Sequence, residues 1–336
     1  MAVTLQDVAR AAQVSPATVS RVLNDYPHVS EATREAVLQA VQKLDYPLGK
    51  LRRTTAIFPP GVLLVSRLPD WQSEQGAGIL HIDRRLITGA QGVLERRGIP
   101  ARVQSVSMEI SSAQQIAEDP QVAGLILLGG IVDYAFADEL QALELPTVVA
   151  GARTPSPKVN CVTADYLQGA FQAANHLLDQ GRRRLGLVNG PPTTMSSAEK
   201  AQGFRLALCM HDLPFDPHSV AVSEEFATEP GYWQTLHLLS QHPDLDAIVY
   251  AGDSMAMGGL RAIKETERQV PEDVAISGFY DTDIARFTDP PLTSVHVDMN
   301  AIGQAAAHRL CDLIARPCDQ AWCILMPASL IVRRST

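Results

Sequence analysis

Residues 15–24 read "SPATVSRVLN", and their chemistry is that of contact with a polyanion. Ser15, Thr18 and Ser20 carry short hydroxyls that let a backbone come close to phosphate oxygens. Arg21 is a planar donor long enough to reach a base edge or a phosphate, while Pro16 and Ala17 add no bulk. A second set of polar and aromatic groups, Asp83, Arg153, Lys200, Phe226, Asp253, Tyr280 and Asp281, is spread through the body of the chain. No GxGxxG, HExxH, GxSxG or GxxxxGK[ST] pattern occurs, so nothing marks a dinucleotide, metal, acyl-transfer or phosphate-loop catalyst. The expectation is a binding protein, not an enzyme, with no cofactor and no metal.

The elements that must hold residues 15–21 are legible from capping and spacing. Thr4 can cap a first helix, with Asp7 three residues on and Leu5, Val8, Ala9 and Ala12 at helical intervals. "QVS" interrupts, Ser15 caps a second helix, and Pro16 occupies its first turn, where a missing N–H costs nothing. Val19, Val22 and Leu23 supply the buried stripe. A third helix starts at Ser30 and places Ala32, Val37, Leu38, Val41 and Leu44 inward. Two short helices joined by a tight turn and braced by a third predict a helix-turn-helix. A small helical subdomain that merely packs on a neighbour has the same pattern.

The charge is divided unevenly. Over 336 residues, 28 basic against 37 acidic side chains give a net charge of −9. Residues 1–60 nevertheless hold seven Lys/Arg and five Asp/Glu, so a basic head precedes an acidic body and would meet any polyanion alone. The apolar run "VAGLILLGGIV" at 122–132 is far short of the ~20 residues a membrane helix needs. Five scattered cysteines without a CxxC pair suit reduced, buried thiols in a cytoplasm.

Past Pro59–Pro60 the pattern becomes an alternation of strands and helices. Strand-like runs are "GVLLVS" (61–66), "VAGLILLGG" (122–130), "PTVVAG" (146–151), "RLGLVNG" (184–190), "DAIVYAG" (246–252) and "DVAISGF" (273–279). Amphipathic stretches between them include "LQGAFQAANHLLDQG", "AEKAQGFRLALCMHD" and "SMAMGGLRAIKETER". Such a series predicts doubly wound parallel sheets, which bind ligands outside the carboxyl ends of their strands.

The segment "VTLQDVARAAQVSPATVSRVLN…HVSEATREAV…KLDY" resembles the DNA-binding head of the lactose-repressor (LacI/GalR) family. "GPPTTMSSAEKAQGF", "DAIVYAGDSMAMGGLRAI", "VPEDVAISGFYDTDIARFTDPPLTSV" and "LIVRRST" extend the resemblance over nearly the whole chain. It implies a helix-turn-helix head followed by a periplasmic-binding-protein-like body of two doubly wound parallel-sheet lobes. The domains expected are 1–46 for the head, 47–60 for a hinge, 61–160 with 293–323 for one lobe, and 161–292 with 324–336 for the other. It also implies a cytoplasmic dimer that binds a pseudo-palindromic double-stranded operator, without contact to a membrane. In the family the first exposed residues of the second helix choose the operator; here these are Pro16 and Ala17, with Arg21 one turn on. Backbone contacts would fall on Ser15, Thr18, Ser20, Asn24 and His28, with Thr4 at the same surface.

The linker and the pocket depart from the family. Where a hinge helix with a minor-groove leucine is usual, this chain reads "DYPLGKLRRTTAIFPP". Leu51 is the one apolar candidate within the basic cluster Lys50, Arg52 and Arg53, which would either track phosphates along a duplex bent less than is usual or stand as solvated linker charges. Of the sugar-contacting positions, the arginine place holds Ala198, the polar residue before Asp253 is Gly252, and the first of two acidic residues is Tyr280, followed by Asp281. A polar place after "PPLTSV" holds Val297, whereas Phe226 keeps a ring-stacking aromatic. Charged hydrogen bonds contribute roughly 1.5–3 kcal/mol each, so losing two costs a free sugar about two to four decades of affinity. Asp83, Arg153, Lys200, the Tyr280 hydroxyl and Asp281 remain as polar groups. Two expectations follow: a repressor with a less hydroxylated, carbohydrate-like effector, or a repressor indifferent to small molecules and set by abundance or a protein partner.

Overall fold

The structure is a computed structural model and describes residues 5–23, 30–44, 61–67, 77–106, 114, 116–129, 139, 145–154, 156–318 and 320–336. Three helices form the head: α1 (Leu5–Ala11), α2 (Pro16–Leu23) and α3 (Glu31–Lys43). Val8, Ala9, Val19, Val22, Val37, Ala40 and Val41 are its core, with Ala12, Val14 and Leu44 partly buried against them. One expected core residue is displaced. Leu38 is 49% exposed, because the stripe of α3 runs Val37, Ala40, Val41, Leu44 and a helix turns ~100° between neighbouring residues. The side chains of Leu5, Leu23 and Ala32 lie outside the described residues, as do the expected hinge, 47–60, and residues 45–46 before it.

Two six-stranded sheets follow. The first is built from β1 (Gly61–Arg67), β2 (Ala101–Val106), β3 (Val122–Leu128), β4 (Thr147–Ala150), β5 (Asn160–Ala164) and β11 (Cys323–Met326), in the order β11-β5-β4-β3-β1-β2 and parallel throughout. The second is built from β6 (Leu185–Asn189), β7 (Val220–Val222), β8 (Ala247–Tyr250), β9 (Ala275–Tyr280), β10 (Thr293–Val297) and β12 (Ala328–Ile331), in the order β12-β10-β9-β8-β6-β7. Here β12 runs antiparallel to β10, an exception to the expected all-parallel sheet. The central strands were legible as continuous apolar runs because both of their faces are covered. The short or polar strands β2, β5, β7, β10, β11 and β12 were not.

Helices α4 (Ala77–Arg96) and α10 (Met299–Ala315) pack together in the first lobe; α5 (Tyr166–Asp179) packs on α6 (Met195–Met210), and α7 (Thr228–Gln241) on α8 (Asp253–Glu265), in the second. A short helix, α9 (Ile284–Phe287), follows β9. Strand membership divides the chain at other residues than expected: all of β5 lies in the first sheet, β10 lies in the second, and β11 reaches Met326 in the first. The chain therefore crosses between lobes at Asp165, Asp298 and Pro327. Those limits are set by where strands end, which composition does not record. A buried apolar cluster continues through the crossings, joining Leu86 and Leu310 of one lobe to Phe204 and Phe279 of the other.

Candidate functional site: a helix-turn-helix and an interlobe cleft

The head positions α2 through its first turn. Ser15 Oγ accepts a hydrogen bond from the Thr18 amide at 3.0 Å and lies 2.8 Å from the Thr18 hydroxyl. The turn before it closes with Gln13 at φ 55°, while the Val14 amide donates to the Ala9 carbonyl at 3.0 Å. Ser15 and Pro16 are exposed and Thr18 is half-buried, opposite the buried Val19 and Val22. The side chains of Ala17, Ser20 and Arg21 lie outside the described residues, as do Thr4, Asn24, His28, Lys50, Leu51, Arg52 and Arg53. What is described is a capped, exposed helix start carried on two packed helices.

The second candidate lies where strands of both sheets end. Lys200, on α6, is 1% exposed, the burial of a core residue. Its ammonium donates to the Ala251 carbonyl at 2.8 Å and the Tyr280 hydroxyl at 3.2 Å. Four rings surround it, with centroids 4.4 Å (Phe279), 4.7 Å (Tyr280), 5.0 Å (Tyr166) and 5.2 Å (Phe226) from Nζ. Ring quadrupoles favour a cation here, yet loss of water dominates and lowers the Lys200 pKa to about 7, against the attraction of Asp253 and Glu199. Burial also holds the Tyr166 phenol up at about 12 and the Tyr280 phenol well above its usual range. Tyr280 and Asp281 adopt φ of 92° and 48°, a left-handed backbone that costs of order 1–3 kcal/mol per non-glycine residue.

Among the described residues, three polar contacts join the lobes. Arg153, just past β4, places Nη1 2.8 Å from Glu199 Oε1 on α6. Burial pushes the Glu199 carboxyl up, and Arg153 offsets part of that shift. Arg85 on α4 reaches Asp283 at 3.3 Å, and the Tyr166 hydroxyl donates to the Gly151 carbonyl at 2.8 Å. Asp83 is buried, its carboxylate against the open side of Gly129, whose φ is 46°.

The sequence-derived candidates separate into two groups. Lys200, Phe226 and Tyr280 come together, with Gly252 following the Ala251 carbonyl that binds Lys200, and Arg153 joins through Glu199. Ala198 is exposed, and a Cβ on Gly252 would meet nothing within 4 Å, so both border open space. The other group is engaged inside the second lobe. Asp253 accepts from the Ser294 hydroxyl (2.5 Å), the Thr282 amide (2.6 Å) and the Thr282 hydroxyl (2.9 Å). Burial raises its pKa to about 6, against those bonds. Asp281 is paired with Arg333 at 2.6 Å and lies 3.4 Å from His296. Val297, expected to border an effector, is 1% exposed and packs in the continuous core. Sequence reasoning missed Glu199 and Tyr166: Glu199 adjoins Lys200 in "SSAEKAQGF", and Tyr166 is the aromatic immediately after the first crossing. The cysteines also differ from expectation, with Cys161 and Cys311 buried but Cys209, Cys318 and Cys323 exposed.

Comparison with known proteins agrees with both halves. Residues 4–47 match the model of bacterial regulatory proteins of the lacI family, and residues 174–336 match that of the periplasmic binding protein-like domain. The HTH-type transcriptional regulator CelR of Thermobifida fusca is 30% identical over 99% of this chain and 98% of its own. A solved transcriptional regulator CelR–cellobiose complex superposes with a TM-score of 0.73 at 28% identity, covering 99% of this chain and 100% of the other. The lac repressor dimer bound to operator and the anti-inducer ONPF superposes with a TM-score of 0.72 at 25% identity, covering 100% of this chain and 99% of the other.

Proposed function

This chain belongs to the lacI family of DNA-binding transcriptional regulators, and from that premise we propose that it is a dimeric repressor of a pseudo-palindromic operator, switched by a small carbohydrate-like effector between its lobes. Each head of a two-fold dimer reads one half-site in the major groove, with Pro16, Ala17 and Arg21 at base edges and Ser15, Thr18, Ser20, Asn24 and His28 along the backbone. Thr4 is a further DNA-binding residue, and Lys50, Leu51, Arg52 and Arg53 of the hinge track phosphates along the duplex. The regulator acts in the cytoplasm, where that duplex is, and catalyses no reaction.

The observation that carries the effector reading is the cleft itself: the Arg153–Glu199 contact joins the lobes beside the Lys200–Tyr280 pair, and open space adjoins Gly252. A glycoside suits these walls. Its polar edge meets Arg153, Asp83, Lys200 and the Tyr280 hydroxyl, its ring meets Phe226, and its apolar part lies against Ala198 and Gly252. Asp253 and Asp281 act through the lobe, by holding β9 to β10 and the closing segment.

A second reading has its own support. The Lys200 ammonium already fills the aromatic cage and spends two of its three donors inside the protein. A cleft satisfied from within suits a repressor indifferent to small molecules.

A thermal-shift screen against mono- and disaccharides, glycosides, sugar phosphates and nucleosides separates the two. A ligand at a hundred times its Kd that binds only the folded state stabilises it by about 2.7 kcal/mol. A hit that also changes operator affinity supports the effector reading. Silence across the panel, with operator binding intact, leaves the second.

A further inference from the structure

Outside the cleft, the topology brings two cysteines together. Strand β11 lies parallel to β5 with Cys323 opposite Cys161, followed by Ile324 opposite Val162, Leu325 opposite Thr163 and Met326 opposite Ala164. The Cys161 amide donates to the Trp322 carbonyl at 2.9 Å, fixing that register. Neighbouring strands lie ~4.8 Å apart, and register partners point to the same face. That spacing falls within the ~4.4–6.8 Å between Cα atoms that a disulfide spans.

The surroundings are asymmetric. Cys161 is buried and Cys323 is exposed. Cys161, Cys323 and the Arg153 guanidinium are near enough to influence one another's charge. The same guanidinium holds Glu199 of the other lobe at 2.8 Å. Both strands run straight into a lobe crossing: β5 ends at Ala164 just before Tyr166, and β11 ends at Met326 just before Ala328. A bond between these cysteines would tie two of the three crossings together.

We propose that Cys161 and Cys323 form a redox-active pair whose oxidation by a hydroperoxide makes a cross-strand disulfide at the lobe hinge, so that thiol oxidation is felt in the cleft. The exposed Cys323 thiol gives up its proton to solvent, and its sulfur attacks the outer peroxide oxygen. The O–O bond breaks, the alkoxide leaves and takes a proton from solvent as an alcohol, and Cys323 becomes a sulfenic acid. The Cys161 sulfur then attacks the Cys323 sulfur, forming S–S while the Cys161 proton and the sulfenic hydroxyl leave as water. Two thiols lose two electrons, and the hydroperoxide gains them. Burial pushes the Cys161 thiol up to about 12, so it is not the first to meet peroxide; its part in the second, resolving step comes from its place opposite Cys323 in the sheet register. In the reduced protein Arg153 is shared between Cys323 and Glu199. In the disulfide its charge falls to Glu199 alone, and the closed lobes are held more firmly.

The test uses the full-length protein and hydrogen peroxide, followed by peptide mapping and melting with and without dithiothreitol. The expected result is a linked Cys161–Cys323 peptide, a fall in titratable thiols from five to three, and a rise in Tm that dithiothreitol reverses. Cys323→Ser abolishes all three changes, whereas the double variant Cys209→Ser, Cys318→Ser keeps the linked peptide and the Tm rise. Peroxide that converts Cys323 only to a sulfinic acid, linked peptides confined to Cys209 or Cys318, or a linked protein whose Tm does not move would each overturn the proposal. None of these readouts involves DNA or an effector, so the regulatory reading can fail without touching this one.

Discussion

Arg153 Nη1 lies 2.8 Å from Glu199 Oε1, and this contact joins the segment just past β4 in one lobe to the second turn of α6 in the other. The arginine side chain is 40% exposed, so water screens its end of the pair. The pair should therefore contribute about 1 kcal/mol to closure, the upper part of the range for partly exposed ion pairs. Arg153→Ala and Glu199→Gln each open the lobes, and a double-mutant cycle on stability shows the two costs overlapping by about that amount. Costs that simply add would show that the contact does not hold the lobes.

Lys200 sets a pH dependence. Its pKa falls from the ordinary 10.5 to about 7 on folding. Between those values the unfolded chain binds the proton and the folded chain does not. Stability therefore rises with pH from about 7 to about 10.5 and is lost as pH falls toward 7, by at most roughly 1.4 kcal/mol per pH unit. Lys200→Met removes that slope, measured by urea unfolding at a series of pH values.

Two glycines should respond oppositely to a side chain. Gly252 has an extended backbone, φ −165° and ψ 152°, with open space where a Cβ would go. Gly252→Ser then leaves Tm within a degree or two while altering ligand response. Gly258 faces the Thr228 carbonyl, which a Cβ would overlap. Gly258→Ala forces α7 from α8 and costs about 1–3 kcal/mol, the usual range for overpacking.

The head rests on its cap. Ser15→Ala removes the acceptor of the Thr18 amide and costs ~1 kcal/mol of helix stability. Ser15→Asp restores the acceptor and the head's folding, but it weakens DNA binding by placing a negative charge near phosphates. Thermal unfolding and duplex affinity of the same variants separate the two effects.

Much of this architecture was legible in the sequence because its signals are local. The Ser15 cap, Pro16 in the first turn and the Val8/Ala9 and Val19/Val22 spacing mark the helix-turn-helix within thirty residues. Runs such as "GLILL" mark strands covered on both faces. The cleft was less legible because its contacts are distant in sequence. Asp253 is engaged by Thr282 and Ser294, and Asp281 by Arg333, none of them neighbours in the chain. Whether Val297 faces cleft or core depends on the strand beside it. Lys200 read equally well as a surface charge, since only the fold brings four rings around it.

The central claim is that this head reads a two-fold duplex sequence. Selection of the full-length protein against a pool of random duplexes tests it most directly, followed by binding of the enriched sequence at several salt concentrations. The account predicts an enriched palindrome, binding that weakens steeply with salt, and loss of affinity and preference in Arg21→Ala. A pool that stays random, or an enriched duplex bound equally well after residues 1–60 are deleted, would contradict it.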